Sequence, residues 1–150
     1  MIRFRNTIDI ARAPAEVFHF LAHIENTPEW NWAVESARQI TRGPIKVGTR
    51  FRQTRSVPRP SVDTLEIIRL EPDRLIEVVG HLASVPARLS YEVAAHPSGT
   101  RLTNSVEIDA SGPFGLVDGL FSDRVRASVA ENLSVLRTVL EQGSKRQRLT

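Results

Sequence analysis

The chain has 150 residues, of which 41% are hydrophobic and 25% charged, the balance of one globular domain with enough apolar side chains for a sizeable core. It has no cysteine, which excludes disulfides, thiolate nucleophiles and cysteine-ligated metals. The net charge is only +3, and the pI of about 10.1 mostly records that 18 of the 20 cations are arginine, so composition demands neither nucleic acid nor an acidic surface as partner.

Ile2 to Ile10 alternates apolar and polar residues, the period of a strand with one buried face. Ala13-Pro14-Ala15-Glu16 then opens a helix, with Pro14 in the first turn, where its missing N–H costs nothing. Val17, Phe20, Leu21 and Ile24 give that helix an apolar stripe. Asn26-Thr27-Pro28-Glu29-Trp30 breaks it and begins a second short helix. From about Val34 to Ala110 the pattern is of strands separated by turn signals. The strands are expected at Phe51 to Arg55, Val62 to Leu70, Leu75 to Leu82, Leu89 to Val93 after Pro86, and Leu102 to Ile108. Short connections with no helix between them argue for an antiparallel meander.

Ser111-Gly112-Pro113 is a helix start signal, and apolar residues follow at 114, 117, 121, 125, 129, 133, 136 and 140. Their mean step of about 3.7 residues predicts a long amphipathic helix, ended by Gly143. No apolar run reaches the roughly 18 residues of a membrane span. The opening Met1-Ile2-Arg3-Phe4-Arg5-Asn6 is charged where a secretion signal would be apolar. A cytoplasmic protein without stable membrane insertion is the expectation, and the arginine bias fits a GC-rich bacterial genome.

The order strand, short helical pair, about six antiparallel strands and long final helix carries a resemblance. The residues that bear it are Ala13-Pro14-Ala15-Glu16-Val17-Phe18, Asn26-Thr27-Pro28-Glu29-Trp30, Gly48-Thr49-Arg50-Phe51, Gly99-Thr100-Arg101-Leu102-Thr103 and Gly112-Pro113-Phe114-Gly115. With them, residues 1 to about 141 resemble the START-like (SRPBCC) superfamily, in particular its polyketide cyclase/dehydrase and lipid-transport branch. The resemblance implies an α+β helix-grip fold: a curved antiparallel sheet of about seven strands wrapped around a long C-terminal helix, with a ligand cavity between them. One domain over residues 1–142 is implied, with 143–150 left as a basic, disordered tail. Fold alone does not choose among cyclases, hydrolases and carriers.

Strand parity sorts the polar residues. Leu102, Val106 and Ile108 place Asn104 on the inner face, Leu89 and Val93 place Tyr91 there, and Phe51 and Val57 do the same for Gln53 and Arg55. Arg50, Arg52, Arg88, Glu92, Arg101 and Glu107 then point outward as cross-strand charge pairs. The inward set Gln53, Arg55, Tyr91 and Asn104 is expected to orient a ligand's oxygens, with Tyr91 a candidate general acid and Arg55 a candidate for stabilising an enolate. The plainer alternative for each is a core polar group bonded to backbone.

Trp30 and Trp32 are expected near the cavity mouth in such a fold. Phe51 is expected on its wall, and Phe114, Val117, Phe121 and Val125 of the final helix would line its apolar wall or simply belong to the core. Gly115 and Gly119 weaken the start of the last helix, which suggests a gate or close packing. His81 has no assignable face because Leu75 to Leu82 is apolar on both parities; if inward, it is a candidate general base. The parity of Glu66 is equally open, and the other acids read as exposed, so no cavity carboxylate is apparent.

His19 and His23 stand at i and i+4, but on the solvated side of their helix and with no third ligand, so no metal or other cofactor is expected. The first functional reading is binding of a small hydrophobic molecule, such as a polyketide, lipid or quinone-like compound, by a monomer or homodimer that takes no nucleic acid. The second is an enzyme of the cyclase/dehydrase type, using Tyr91, Arg55, Asn104 and His81 for aldol cyclisation or dehydration. The third is an accessory protein with a vestigial cavity.

Overall fold

A computed structural model describes residues 1–57, 59–82, 85–109 and 119–143, with the side chains of 119–122 left out. The elements follow in the order β1 (Ile2–Ile10), α1 (Pro14–Ala22), a 3-10 turn (Ile24–Glu29), β2 (Val34–Gln39), β3 (Arg50–Arg55), β4 (Ser61–Glu71), β5 (Leu75–Leu82), β6 (Val85–His96), β7 (Gly99–Ile108) and α2 (Gly119–Gln142). The seven strands form one antiparallel sheet in the order β1-β7-β6-β5-β4-β3-β2. The meander from β2 to β7 is therefore continuous, and only β1 joins out of sequence, beside the last strand.

Alternation sets the two faces. On β7, Thr100, Leu102, Asn104, Val106 and Ile108 are buried, while the residues between them are exposed or half-buried. The concave face formed this way is covered by α1, which packs across β5 to β7, and by α2, which runs along β1. Val17, Phe20 and Leu21 of α1 and Leu133, Leu136 and Leu140 of α2 meet Phe51, Ile67, Ile76 and Leu102 in one core. A smaller cluster joins Ile2, Ala87, Val106 and Ile108 to Leu82, Leu89 and Val125.

The convex face is solvated, and its charges pair across strands: Arg50 with Glu66 at 2.8 Å, Arg101 with Asp9 at 2.9 Å, Arg88 with Glu77 at 3.4 Å and Arg3 with Glu107 at 3.6 Å. Exposed pairs of this kind add little stability, about 0–1 kcal/mol each. The contact with Arg50 places Glu66 on the outer face.

Two glycines are required by close approach. A Cβ on Gly80 would lie 2.2 Å from the Thr64 carbonyl and 2.6 Å from Leu65 Cδ2, so only glycine lets β4 and β5 meet there, near the register shift between Ile67 and Arg69. Gly99, at φ +135°, would place a Cβ 2.5 Å from the Ile10 carbonyl. There the β6–β7 turn is pressed against the end of β1.

Some boundaries differ from the sequence expectation. The second short helix starts at Ile24 and is a 3-10 turn that contains Pro28. Two side chains stabilise it: Asn26 Nδ2 donates to the Phe20 carbonyl at 3.1 Å and Thr27 Oγ1 to the Ile24 carbonyl at 2.6 Å. Pro86 lies inside β6 rather than ahead of it, opposite His81, and its carbonyl accepts from Asp109 N at 2.9 Å. The expected start of the last helix, with Phe114, Gly115 and Val117, lies outside the described residues, as does the tail from 144.

Candidate functional site

A cavity of about 50 Å³ lies on the concave face beneath α1 and the 3-10 turn. Leu21, Ile24 and Trp30 close it from above, and Leu65, Val78, Leu82 and Leu89 form its floor. Five residues bring polar atoms to its wall: Thr27, Asn31, Gln53, Arg55 and Tyr91. The cavity therefore sits between the sheet and the N-terminal helical pair, and no described side chain of α2 lines it. Of the wall expected from the C-terminal helix, Val125 does not line the cavity and Phe114, Val117 and the Phe121 side chain lie outside the described residues, while Leu133, Leu136 and Leu140 pack beneath α2 as core.

Trp30, Gln53, Arg55 and Tyr91 are brought together. Trp30 is buried and meets Tyr91 edge-on, with ring centroids 6.4 Å apart at 84°, an arrangement favoured by the ring quadrupoles. Gln53 is 2% exposed on β3 and stands directly across from Asp63 on β4. Asp63 pairs with Arg55, Nε to Oδ2 at 3.6 Å, the two side chains being 12% and 1% exposed. Ser61 Oγ donates to the same carboxylate at 3.4 Å. The Arg55 Nε–H is buried without a hydrogen-bond acceptor among the described residues.

Asp63 corrects the expectation that no carboxylate lies near the cavity. The signal was present in the chain: Asp63, Leu65 and Ile67 share one parity, and all three are buried. Ile68 and Leu70, apolar on the other parity, obscured it.

The other candidates fall elsewhere. Phe51 is fully buried in the core, off the cavity wall. Asn104 is 2% exposed and in register with Tyr91, but its Nδ2 donates to the Ser90 carbonyl at 3.1 Å, which makes it a strand-to-strand brace. Val125 packs in the smaller cluster. Trp32 is 60% exposed and does not line the cavity, because the chain turns outward between Trp30 and β2. His81 is exposed on the convex face, since Leu82 takes the inward position at the end of β5; it cannot serve as a base in the cavity. Phe114 and Val117, and the side chain of Phe121, lie outside what is described. His19 is exposed and its ring lies tilted at 45° beside that of half-buried His23, centroids 4.3 Å apart, with His23 Nδ1 2.8 Å from the His19 carbonyl. Among the described residues no group of three or more metal-ligating side chains occurs, and no helix is long and apolar enough to cross a membrane.

Burial pushes the Tyr91 hydroxyl up to about 12, against an opposing pull from Arg55. Burial also lowers Arg55 from its usual value, an effect that Asp63 opposes. Tyr91 thus stays protonated across physiological pH, able to donate a proton or hydrogen bond but not to act as a base. It is the chain's single tyrosine, so near-ultraviolet tyrosinate absorbance reads this residue alone. Native protein is expected to titrate near pH 12 and denatured protein near pH 10. Because the folded value is the higher one, stability is complete below pH 10 and falls as pH rises through 12, by at most about 2–3 kcal/mol. A native midpoint near pH 10 would mean that water reaches the hydroxyl freely.

Comparison with known proteins agrees with this architecture. The chain superimposes on a START superfamily protein from Mycobacterium smegmatis with a TM-score of 0.78 at 14% identity, over 95% of this chain and 99% of that one. A protein from Mesorhizobium loti gives 0.71 at 16% identity, over 95% and 98%. The di-domain ARO/CYC BexL of the BE-7585A biosynthetic pathway gives 0.73 at 17% identity, over 94% of this chain and 47% of that one. A search of curated proteins finds no match. The seven-stranded helix-grip fold is shared with that START superfamily protein, and residues 1–141 match the family described as polyketide cyclase / dehydrase and lipid transport, to which the chain belongs.

Proposed function

We propose that this protein binds a small hydrophobic ligand in the cavity beneath α1, holding the ligand's polar end against Gln53, Arg55 and Tyr91. The observation that carries the reading is a largely apolar chamber with Gln53, Arg55 and Tyr91 in its wall, where the buried Arg55 Nε–H has no hydrogen-bond acceptor among the described residues. Burial of apolar ligand surface supplies affinity, about 25 cal/mol per Å², and the polar side supplies orientation. A cavity of about 50 Å³ holds a few waters or a short fragment. A polyketide- or lipid-sized ligand therefore enters only with movement of the wall. On this reading the protein is a cytoplasmic carrier of one domain.

The test is native mass spectrometry of the purified protein, followed by solvent extraction of any adduct and a titration with a hydrophobic dye. A stoichiometric lipophilic adduct, or saturable one-to-one dye binding, is the expected result. A clean apo mass together with no dye binding would overturn the reading and favour an accessory protein with a filled interior.

A second reading, an enzyme of the cyclase/dehydrase type, draws on the Tyr91 hydroxyl, which burial keeps protonated within the ordinary pH range. In that case Tyr91→Phe abolishes conversion of a bound poly-β-ketone while the ligand is still retained on the protein. Unchanged conversion would remove Tyr91 as the acid.

A further inference from the structure

We propose that Asp63, by neutralising Arg55 from behind the cavity wall, restricts the ligand to an uncharged carbonyl compound and rejects the matching carboxylate. This rests on the cavity being the ligand site. Arg55 is the one charged side chain among the described residues that line the cavity. Alone, such a guanidinium would recruit an anion, since arginine matches carboxylate geometry.

Arg55 is not alone. Asp63, two residues along β4 from Ser61, the cross-strand partner of Arg55, lies off the cavity wall with its side chain 1% exposed, and its Oδ2 is 3.6 Å from Arg55 Nε. A ligand carboxylate brought to Arg55 would meet the field of a second carboxylate behind it. It would also lose its hydration to an apolar floor without full repayment.

What the wall offers instead is donors. The Arg55 Nε–H has no hydrogen-bond acceptor among the described residues, Asp63 Oδ2 standing off at 3.6 Å, and the Tyr91 hydroxyl belongs to the same wall. A neutral carbonyl oxygen has two lone pairs, the complement of two such donors. A cationic ligand finds no free acceptor there, because the Asp63 carboxylate already holds Arg55 and Ser61.

The charge pair thus makes a specificity device: Asp63 touches no ligand and acts through Arg55. The experiment is isothermal titration calorimetry near neutral pH with acetophenone, benzoate and benzylamine, which share a ring and differ in charge. For the wild type, acetophenone is expected to bind at least about tenfold more tightly than either charged probe. Benzoate binding as tightly as acetophenone would overturn the proposal, since that is the order a lone Arg55 gives. Asp63→Asn, which frees the Arg55 charge, is expected to strengthen benzoate by at least about tenfold and leave acetophenone nearly unchanged. An unaltered ratio would also overturn it. The wild-type order decides the matter if that variant does not fold. Binding of none of the three would instead sink the cavity reading itself, and the proposal with it.

Discussion

Asp63→Ala is expected to lower the unfolding free energy by about 3–5 kcal/mol, read from urea denaturation. The loss comes from the partner left behind. Arg55, with its side chain 12% exposed, would keep a guanidinium in the concave face with neither counter-charge nor bulk water. Its slight access to the cavity sets the lower end of the range. Replacing both partners, Arg55→Leu with Asp63→Leu, removes two desolvated charges at once and is expected to fall within about 1–2 kcal/mol of the wild type. The contrast between single and double variant is the signature of a buried pair. A loss under about 1 kcal/mol for Asp63→Ala would mean that the guanidinium reaches water unaided.

Phe51→Ala is expected to cost about 3–5 kcal/mol through lost burial and the hole left behind. Phe51 is fully buried, pairs across β3–β4 with Leu65 and belongs to the main core. The sequence placed it on the cavity wall, and the structure places it behind that wall, so the variant separates the two positions. A core residue loses stability on truncation, and Phe51→Leu, which refills most of the volume, is expected to recover part of it. A wall residue facing open space would cost under about 1 kcal/mol, and that result would return Phe51 to the cavity.

Much of the frame was legible because it follows from local periodicity. β5 falls at the expected bounds, Leu75–Leu82, since turn residues flank it on one side and apolar residues occupy both of its parities. The inward positions of Gln53 and Asn104 followed from alternation with Phe51, Leu102 and Val106, and both are 2% exposed. Period 2 is a property of the strand itself, so parity transfers directly from sequence to face.

Parity failed where apolar residues occupy both faces of a strand. His81 sits beside Leu82 in such a run, and only pairing with β6 decides that Leu82 faces in and His81 out. Asp63 was hidden by the same ambiguity further along β4. Trp32 went astray for another reason: it lies in a connection, where no period operates, and the turn after Trp30 directs it outward.

From the sequence alone came the fold class, the antiparallel meander, the amphipathic helices, the family and the short set of inward polar residues. These depend on patterning along the chain and on motif order, which survive without knowledge of distant contacts. Tertiary structure decided where the cavity lies, how little room it has and which charges meet in its wall. Arg55 and Asp63 lie on neighbouring strands and face the same way only because β3 and β4 pair in one register. A one-residue slip would send one of them to solvent. The depth of the chamber depends in turn on how closely Trp30 and Leu21 approach the sheet, and side-chain packing across elements sets that distance.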